Sequence, residues 1–406
     1  MKLAKMSMVA ALLLGANAFA IENVKVSGDA KLYYSTDDST NAGNNGGLFE
    51  RTSSAAQAAL GLDLTADLLE NVSAGVSFTA LSTLGLENNL VANGWEAQTA
   101  AWASDYWFNE AWIATTMGKT TAKLGRQTLD TPLAFTETWS IAENTFEAAV
   151  LINQDIADTT LVGAYIGSHN SAGGVLGTGN SGAFAAVVGA PVVANGDSRF
   201  TQTAGFGNGA YTIGAVNNSF KPVTAQLWYY DIVSTGTAVW AQADLDMDGI
   251  LGGIQYTTLD VNGLANTGDA TALMVGYAMK DVATFKVAYS MTDDNVGAGQ
   301  NVAGQQSKLY TELWWNYGLV DNANTDTILV SAEATVSDID LYAGYGMVDT
   351  GAANADLNEL TITASKSYGA LDTSVAFINT DADAGAVGVA GNNVENMLQV
   401  YLTLNF

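Results

Sequence analysis

The chain contains no cysteine, which excludes a disulfide scaffold and any thiolate metal site. Histidine occurs once, as His169, at the start of a Gly- and Ser-rich stretch. No Ser and Asp are spaced around it as a hydrolytic triad requires, so catalysis of that kind is not expected and His169 reads as a solvated loop residue. Proline is nearly missing. Pro132, Pro191 and Pro222 are the three present, and each falls between segments that read as strands, as a hydrogen-bonded sheet demands. Basic residues are scarce, 14 against 41 acids for a net charge of −27, which argues against nucleic-acid binding through phosphate contacts. Also missing is any apolar run long enough for a membrane-spanning helix: the best candidate past the N-terminus, residues 183–194, is short and interrupted by Pro191. Charges of both signs make up only 14% of the chain, few for a surface wholly in water.

What the chain does have is alternation. From Val24 onward, segments of roughly 8 to 11 residues alternate apolar and polar positions, separated by clusters of Gly, Asn, Asp and Ser. Val24, Val26, Ala30, Leu32 and Tyr34 oppose Lys25, Ser27, Asp29 and Lys31; Val72, Ala74, Val76 and Phe78 oppose Ser73, Gly75, Ser77 and Thr79. The C-terminal segment repeats the pattern, with Leu398, Val400, Leu402, Leu404 and Phe406 on one face. A strand closed by an aromatic looks like the feature by which bacterial outer-membrane barrels are delivered to their assembly machinery. At the other end, Lys2 and Lys5, an apolar run from Met6 to Leu14 and the triplet Ala18-Phe19-Ala20 read as a secretory signal over residues 1–20. The signal holds no acid, so its removal leaves a formal charge of −29.

These features predict an all-β protein, a single transmembrane antiparallel β-barrel over residues 21–406 in the bacterial outer membrane. Basic residues test the assignment, because lipid-facing Lys or Arg at midplane costs ~2–4 kcal/mol. Lys25, Lys31, Arg51, Lys123, Lys286 and Lys308 all share the parity of the polar face; Lys119, Lys221, Lys280 and Lys366 fall at short turns, Arg199 in a long loop and Arg126 at a strand end. A secreted adhesin or surface-layer protein is the alternative. About 19 segments alternate, and an odd number does not suit a bacterial barrel with both ends on one side. Loop lengths single out Lys308–Asn316, with Trp314 and Trp315, as part of a long loop, which gives 18 strands, with 16 as the second choice. Long connections are expected at 37–53, 81–109, 127–145, 169–208 and 291–326, outside the cell, and short turns in the periplasm.

Two stretches could carry chemistry. Asp244, Asp246, Asp248 and Gly249 read D-x-D-x-D-G, the opening of a calcium loop, but the position of the closing bidentate Glu is Gln255. Strand alternation explains the same residues as a hairpin turning at Asp248-Gly249, so calcium stays the lesser expectation. The connection from Arg126 through Asp130, Pro132, Glu137, Trp139 and Glu143 mixes charge, aromatics and a rigidifying proline, as a loop folded into a lumen would. There its acids would face Lys25, Lys31, Arg51 and Lys123 across the narrowest point, creating a transverse field.

The segment from Lys123 to Gly167, with LGRQ, LDTPLAFTE and NTFEAAVLINQDIADTTLVGAY, resembles the major outer membrane porins of Campylobacter and related bacteria, and more widely the outer membrane porin D type of channel. The resemblance implies an 18-stranded, trimeric barrel constricted by loop 127–145, passing ions and small hydrophilic solutes passively and carrying out no enzymatic reaction.

Overall fold

The computed structural model describes residues 21–38, 47–86, 89–92, 94, 105–170, 201–202, 209–302, 304–351, 356–383 and 393–406. The expected signal over residues 1–20 and the basic Arg199 lie outside them. In chain order the strands are β1 (Glu22–Asp37), β2 (Ser54–Leu69), β3 (Val72–Ser82), β4 (Asp105–Met117), β5 (Thr120–Gln127), β6 (Phe146–Asn153), β7 (Thr159–His169), β8 (Thr201–Gln202), β9 (Ala210–Asn217) and β10 (Val223–Ile232). They continue as β11 (Gly236–Met247), β12 (Ile250–Val261), β13 (Gly268–Met279), β14 (Ala283–Thr292), β15 (Asp326–Val336), β16 (Ile339–Asp349), β17 (Leu357–Tyr368), β18 (Leu371–Ala382) and β19 (Asn393–Asn405). β7 pairs directly with β9 from Thr159↔Asn217 to Ile166↔Ala210, while β8 adds only a two-residue contact to the end of β7. The wall therefore has 18 antiparallel strands.

Closure is between β1 and β19, in register from Asp29↔Asn405 to Asp37↔Met397. Below that seam Gly28 N–H donates to the Phe406 carbonyl at 2.8 Å and Phe406 N–H to the Gly28 carbonyl at 2.9 Å. A closed sheet leaves no unpaired edge, which is what a hydrocarbon environment requires of β-structure.

Strand alternation sorts the side chains as the sequence predicts. On β14, Phe285 and Val287 are 50% and 46% exposed, whereas Ala288 and Ser290, on the other face, are 3% and 0%. The exposed face is the lipid face, and the inner face is covered from within. Turns at the periplasmic end are tight. Asp248 and Gly249 have φ of +51° and +88°, and Ser337 and Asp338 +52° and +60°; two successive positive φ values are the primed hairpin turn whose twist matches the strands it joins.

Two expected strand residues fall elsewhere. Arg51 opens a 3₁₀ turn, Arg51–Ser53, ahead of β2, and Lys308 lies in the connection 293–325. Neither segment continues a ladder, so their parity carried no information about the wall. His169, expected to be solvated, is buried at the end of β7 with its ring 6.4 Å from that of Phe146. Lys366 sits within β17 rather than in a turn. Its ammonium lies 5.7 Å from the Tyr368 ring and donates to the Ser337 carbonyl at 3.1 Å, a stem along the outer wall with its charge at the rim.

The hydrophobic core is where two connections dock on the inner wall. Leu129, Leu133 and Ala134 of connection 128–145, and Ala298, Val302, Leu309, Leu313 and Val320 of connection 293–325, cluster with wall residues including Phe146, Trp228, Tyr230, Trp240 and Leu259. Farther along the first connection, Ile141 and Ala142 pack against Tyr33, Ala59, Leu81 and Trp107. That connection thus touches β1–β4 at one point and β10–β12 at another, and crosses the lumen between them.

Candidate pore constriction

The first inward loop is built around a short hairpin. Asp130 bridges Phe135, Thr136 N–H donates to the Leu129 carbonyl at 2.8 Å, and Thr131 Oγ1 donates to the Ala134 carbonyl at 2.8 Å. Pro132 sits in the tip, where its fixed φ suits a turn. The tip is pinned to the wall: Leu133 N–H donates to the Tyr230 hydroxyl at 3.2 Å.

The second inward loop, 293–325, is folded around carboxylates. Glu312 accepts the backbone N–H groups of Ser307 and Gly318 at 3.0 and 2.8 Å, and also the Ser307 hydroxyl. Glu359, projecting inward from β17, accepts Trp314 N–H at 2.9 Å and both the backbone N–H and the amide of Asn316 at 2.7 and 2.8 Å. Gln255 on β12 holds the loop by accepting Tyr310 N–H at 3.0 Å and donating to the Lys308 carbonyl at 2.8 Å.

Glu137 joins the two loops. One carboxylate oxygen accepts the Gln305 and Gln306 backbone N–H groups, each at 2.7 Å, and the Asn301 amide at 2.9 Å; the other accepts the Trp139 indole N–H at 2.7 Å. Asn301 in turn brackets the backbone of Phe135, donating to its carbonyl at 2.8 Å and accepting its N–H at 3.3 Å. Lys308 pairs with Asp130 and lies 4.8 Å from the Phe135 ring. The loops are a single unit. Burial raises the Glu137 carboxyl above its ordinary range, opposed by the hydrogen bonds just described. Burial likewise pushes Glu312 up to about 8 and raises Asp321, the latter also repelled by Glu312 and Glu137.

Beside this unit runs open space. A cavity of about 360 Å³ is bounded by Trp139, Tyr317 and Trp315 of the loops and by Tyr342 and Tyr401 of the wall. A second, of about 660 Å³, extends past Asp340, Glu333 and Thr284 toward the short-turn end. Trp314 and Tyr342 belong to both, with ring centroids 6.4 Å apart. The narrow part of the lumen is aromatic on one flank and acidic below.

Of the residues expected at a constriction, Asp130 is on the first loop and exposed, and Glu143 is on the same loop and half-buried. Glu137 is in the same loop but buried. Lys31 and Lys123 face the lumen and are paired, Lys31 with Asp29 at 3.6 Å, Lys123 with Glu110 at 3.7 Å and 4.3 Å above the Trp112 ring. Lys25 is eight residues below Tyr33, where the loop touches β1, hence ~26 Å away at strand rise, at the periplasmic mouth. Arg51 is in the extracellular connection between β1 and β2.

Arg126 is not in the lumen. It shares the outward parity of Leu124, and its guanidinium donates to Glu147 at 2.9 Å and to the Phe108 carbonyl at 2.8 Å on the outer wall. Glu147 also accepts the Ser168 hydroxyl at 2.9 Å.

The acids of D-x-D-x-D-G do not converge. Asp244 and Asp246 are two residues apart on one strand, ~6.6 Å at strand rise. Asp244 accepts from Gln242 at 2.8 Å and from the Tyr310 hydroxyl, while Asp248 makes the turn. Among the described residues no group of three or more acids or His could hold a metal ion. Sequence reasoning missed the second loop's part in the site; its signal was Trp314-Trp315 beside Glu312, polar and aromatic residues out of step with strand alternation.

Residues 1–273 match the sequence model of the family described as Campylobacter major outer membrane protein. No curated protein matches by sequence. Crystal structures with a similar fold include OccAB1 of Acinetobacter baumannii, at 15% identity and TM-score 0.70 over 95% of this chain and 97% of that one. OccK1 (OpdK) of Pseudomonas aeruginosa matches at 10% identity and TM-score 0.71 over 95% and 98%, and OccK3 (OpdO) of the same organism at 12% and 0.69 over 96% and 97%.

Proposed function

The chain belongs to the Campylobacter major outer membrane protein family, and we propose on that basis that it forms a water-filled channel for passive diffusion of ions and small hydrophilic solutes. Its constriction is the joint unit of loops 128–145 and 293–325, not the first loop alone. The observation that carries this reading is the Glu137 carboxylate: a buried acid holding backbone groups of a second loop fixes both at one place in the lumen, beside two cavities that share Trp314 and Tyr342. A channel needs such fixity, because a loop free to swing sets no constant cross-section.

Selection is by charge and size. The lumen-facing amines of Lys31, Lys123 and Lys286 each have an acid within 4 Å, so they leave the field of the remaining acids, among them Asp63, Asp246 and Asp340, uncancelled. That supports modest cation preference. The aromatic flank at Trp139, Trp314 and Tyr342 limits size without binding charge tightly. Residues 1–20 act as an export signal, β19 with the Phe406 that follows it is handed to the barrel-assembly machinery, and the working form is a trimer, all three in keeping with the family.

Planar-bilayer recording on purified protein tests the function. Discrete conductance steps with a cation-side reversal potential in a salt gradient are expected. A barrel that inserts but passes no current would leave the adhesin reading standing.

A further inference from the structure

The aromatic rings at the constriction are held in a way that a size limit alone does not require. The cavity of about 360 Å³ is walled by Trp139, Trp314, Trp315 and Tyr317 from the loops and by Tyr342 and Tyr401 from β16 and β19. At ~30 Å³ per water it has room for about twelve waters, and its size falls within the ~300–1,000 Å³ usual for small-molecule sites. Its wall side is long. Tyr342 pairs across to Thr363, Thr363 to Ala376 and Ala376 to Gln399, three strand spacings and hence ~14 Å.

Two of the tryptophans are pinned by their edges. Trp314 donates its backbone N–H to Glu359 at 2.9 Å and its indole N–H to Gln399 at 3.2 Å, and Trp139 donates its indole N–H to Glu137 at 2.7 Å. Trp314 is still 41% exposed, although these contacts keep it inside the lumen and away from lipid. A ring fixed at its edge with apolar surface left in water is preorganised for a solute that covers it with a flat apolar face. Tyr342, with its ring centroid 6.4 Å from that of Trp314, and Tyr317, 5.1 Å from Trp139, widen the two platforms.

Polar groups with no internal partner lie beside the rings. The Gln306 amide and the hydroxyls of Tyr317 and Tyr342 border the cavity and hydrogen-bond to no other described residue. Among the described residues no basic side chain lines it, and its one carboxylate, Glu312, is occupied by Ser307 and Gly318. An anion finds no counter-charge there and a cation no free carboxylate. The lining suits a neutral solute that has apolar faces and hydroxylated edges.

We propose that the constriction holds a station for a neutral pyranose sugar, whose C–H face lies on Trp314 while its hydroxyls exchange hydrogen bonds with Gln306, Tyr317 and Tyr342. The weakly positive C–H hydrogens of the sugar ring meet the negative face of the indole. An open-chain polyol carries the same hydroxyls without the flat face, which sets the class apart. The proposal rests on the channel reading and adds to it the class of solute retained at the narrowest point.

Planar-bilayer recording on the full-length protein tests the station, with methyl β-glucopyranoside as probe, sorbitol as the polyol without a ring face, and tetramethylammonium chloride as the cation. Saturable reduction of the current by the glucoside is expected, beyond the drop that sorbitol gives at equal concentration. Trp314→Ala and Tyr342→Leu should each raise the half-blocking concentration at least fivefold, and Trp314→Phe, which keeps a ring face, should raise it less. Each value is read against the variant's own open-channel current, so a widened pore is not mistaken for a lost station. If the variants do not insert, the difference between glucoside and sorbitol on the parent decides. Equal effects of those two solutes, tetramethylammonium block at an equal or lower concentration than the glucoside, or an unchanged half-blocking concentration in both Trp314→Ala and Tyr342→Leu would each overturn the proposal. Absence of any conductance steps before solute is added would defeat the channel reading by itself. Tryptophan fluorescence of the detergent-solubilised protein would then judge the station, a saturable change with the glucoside and not with sorbitol supporting it and no such change overturning it.

Discussion

Asp130 and Lys308, 178 positions apart in the chain, form an ion pair that spans the two inward loops. The carboxylate is 92% exposed, so the pair adds little to stability, ~0–1 kcal/mol. Its effect is on passing ions. Asp130→Asn leaves the Lys308 charge uncompensated and is expected to move the reversal potential toward anions, Lys308→Met toward cations, and the double variant to lie close to the parent. The shifts should shrink as added salt shortens the screening length. Equal shifts of the same sign in both single variants would contradict the pairing.

Glu137 governs the pore differently, because its charge is not presented to the lumen. Glu137→Ala strands the Gln305 and Gln306 N–H groups, the Asn301 amide and the Trp139 indole, at a cost to the docked state of about 1–3 kcal/mol for each donor that stays buried and unsatisfied. Larger and noisier single-channel conductance is expected, with thermal unfolding of the barrel nearly unchanged, since no ladder bond is lost. Glu137→Gln, which keeps an acceptor oxygen, should fall between. An Ala variant with parental conductance would show that the loops are held elsewhere.

The pH dependence of loop docking follows from Glu312, raised by burial from 4.5 to about 8. Between those values the docked loop retains a proton that a released loop has lost. Docking therefore weakens as pH rises from about 4.5 to about 8 and levels off above, by at most ~1.4 kcal/mol per pH unit. Glu137 and Asp321 act in the same direction. Limited proteolysis of folded protein should cut loop 293–325 faster at about pH 8.5 than at about pH 5, and Glu312→Gln should flatten the difference. Faster cutting at the acid end would reverse the sign.

Gly75 on β3 lies under the Trp112 indole, so that a Cβ there would meet the ring. Gly75→Val must displace Trp112, and with it the Lys123 ammonium above that ring. A loss of ~1–3 kcal/mol is expected for overpacking of this kind, read as a lower unfolding temperature in detergent. An unchanged transition would mean that the ring swings aside freely.

The wall was legible in the sequence because lipid and water impose a period of two, visible in Phe285, Val287 and Tyr289 against Lys286 and Ala288. So was the turn at Asp248-Gly249, whose residue types tolerate positive φ. Setting aside Lys308–Asn316 as loop gave the right strand number for a different reason, since the linkers around it break the alternation of short turn and long loop that a barrel requires. Placement within the lumen was less legible. Arg126 shares Leu124's parity, a signal that points outward, but its loop-side position suggested the pore. Glu137 reads as one more acid, and nothing local reveals that the N–H groups of residues 305 and 306 will converge on it. Long-range partnership leaves no periodic trace.

The seam at Asp29↔Asn405 also sets the order of events in the life of the molecule. Each wall strand finds its neighbour next to it in the chain, so hairpins form locally and early, but the ring closes by joining residues from opposite ends of the polypeptide. During synthesis and export β1 has no partner on one side until β19 emerges, and its unpaired edge is then a hazard for pairing between chains. Closure is the slow, non-local step. The exposed edge of β1 therefore has to be kept from other chains until β19 pairs with it.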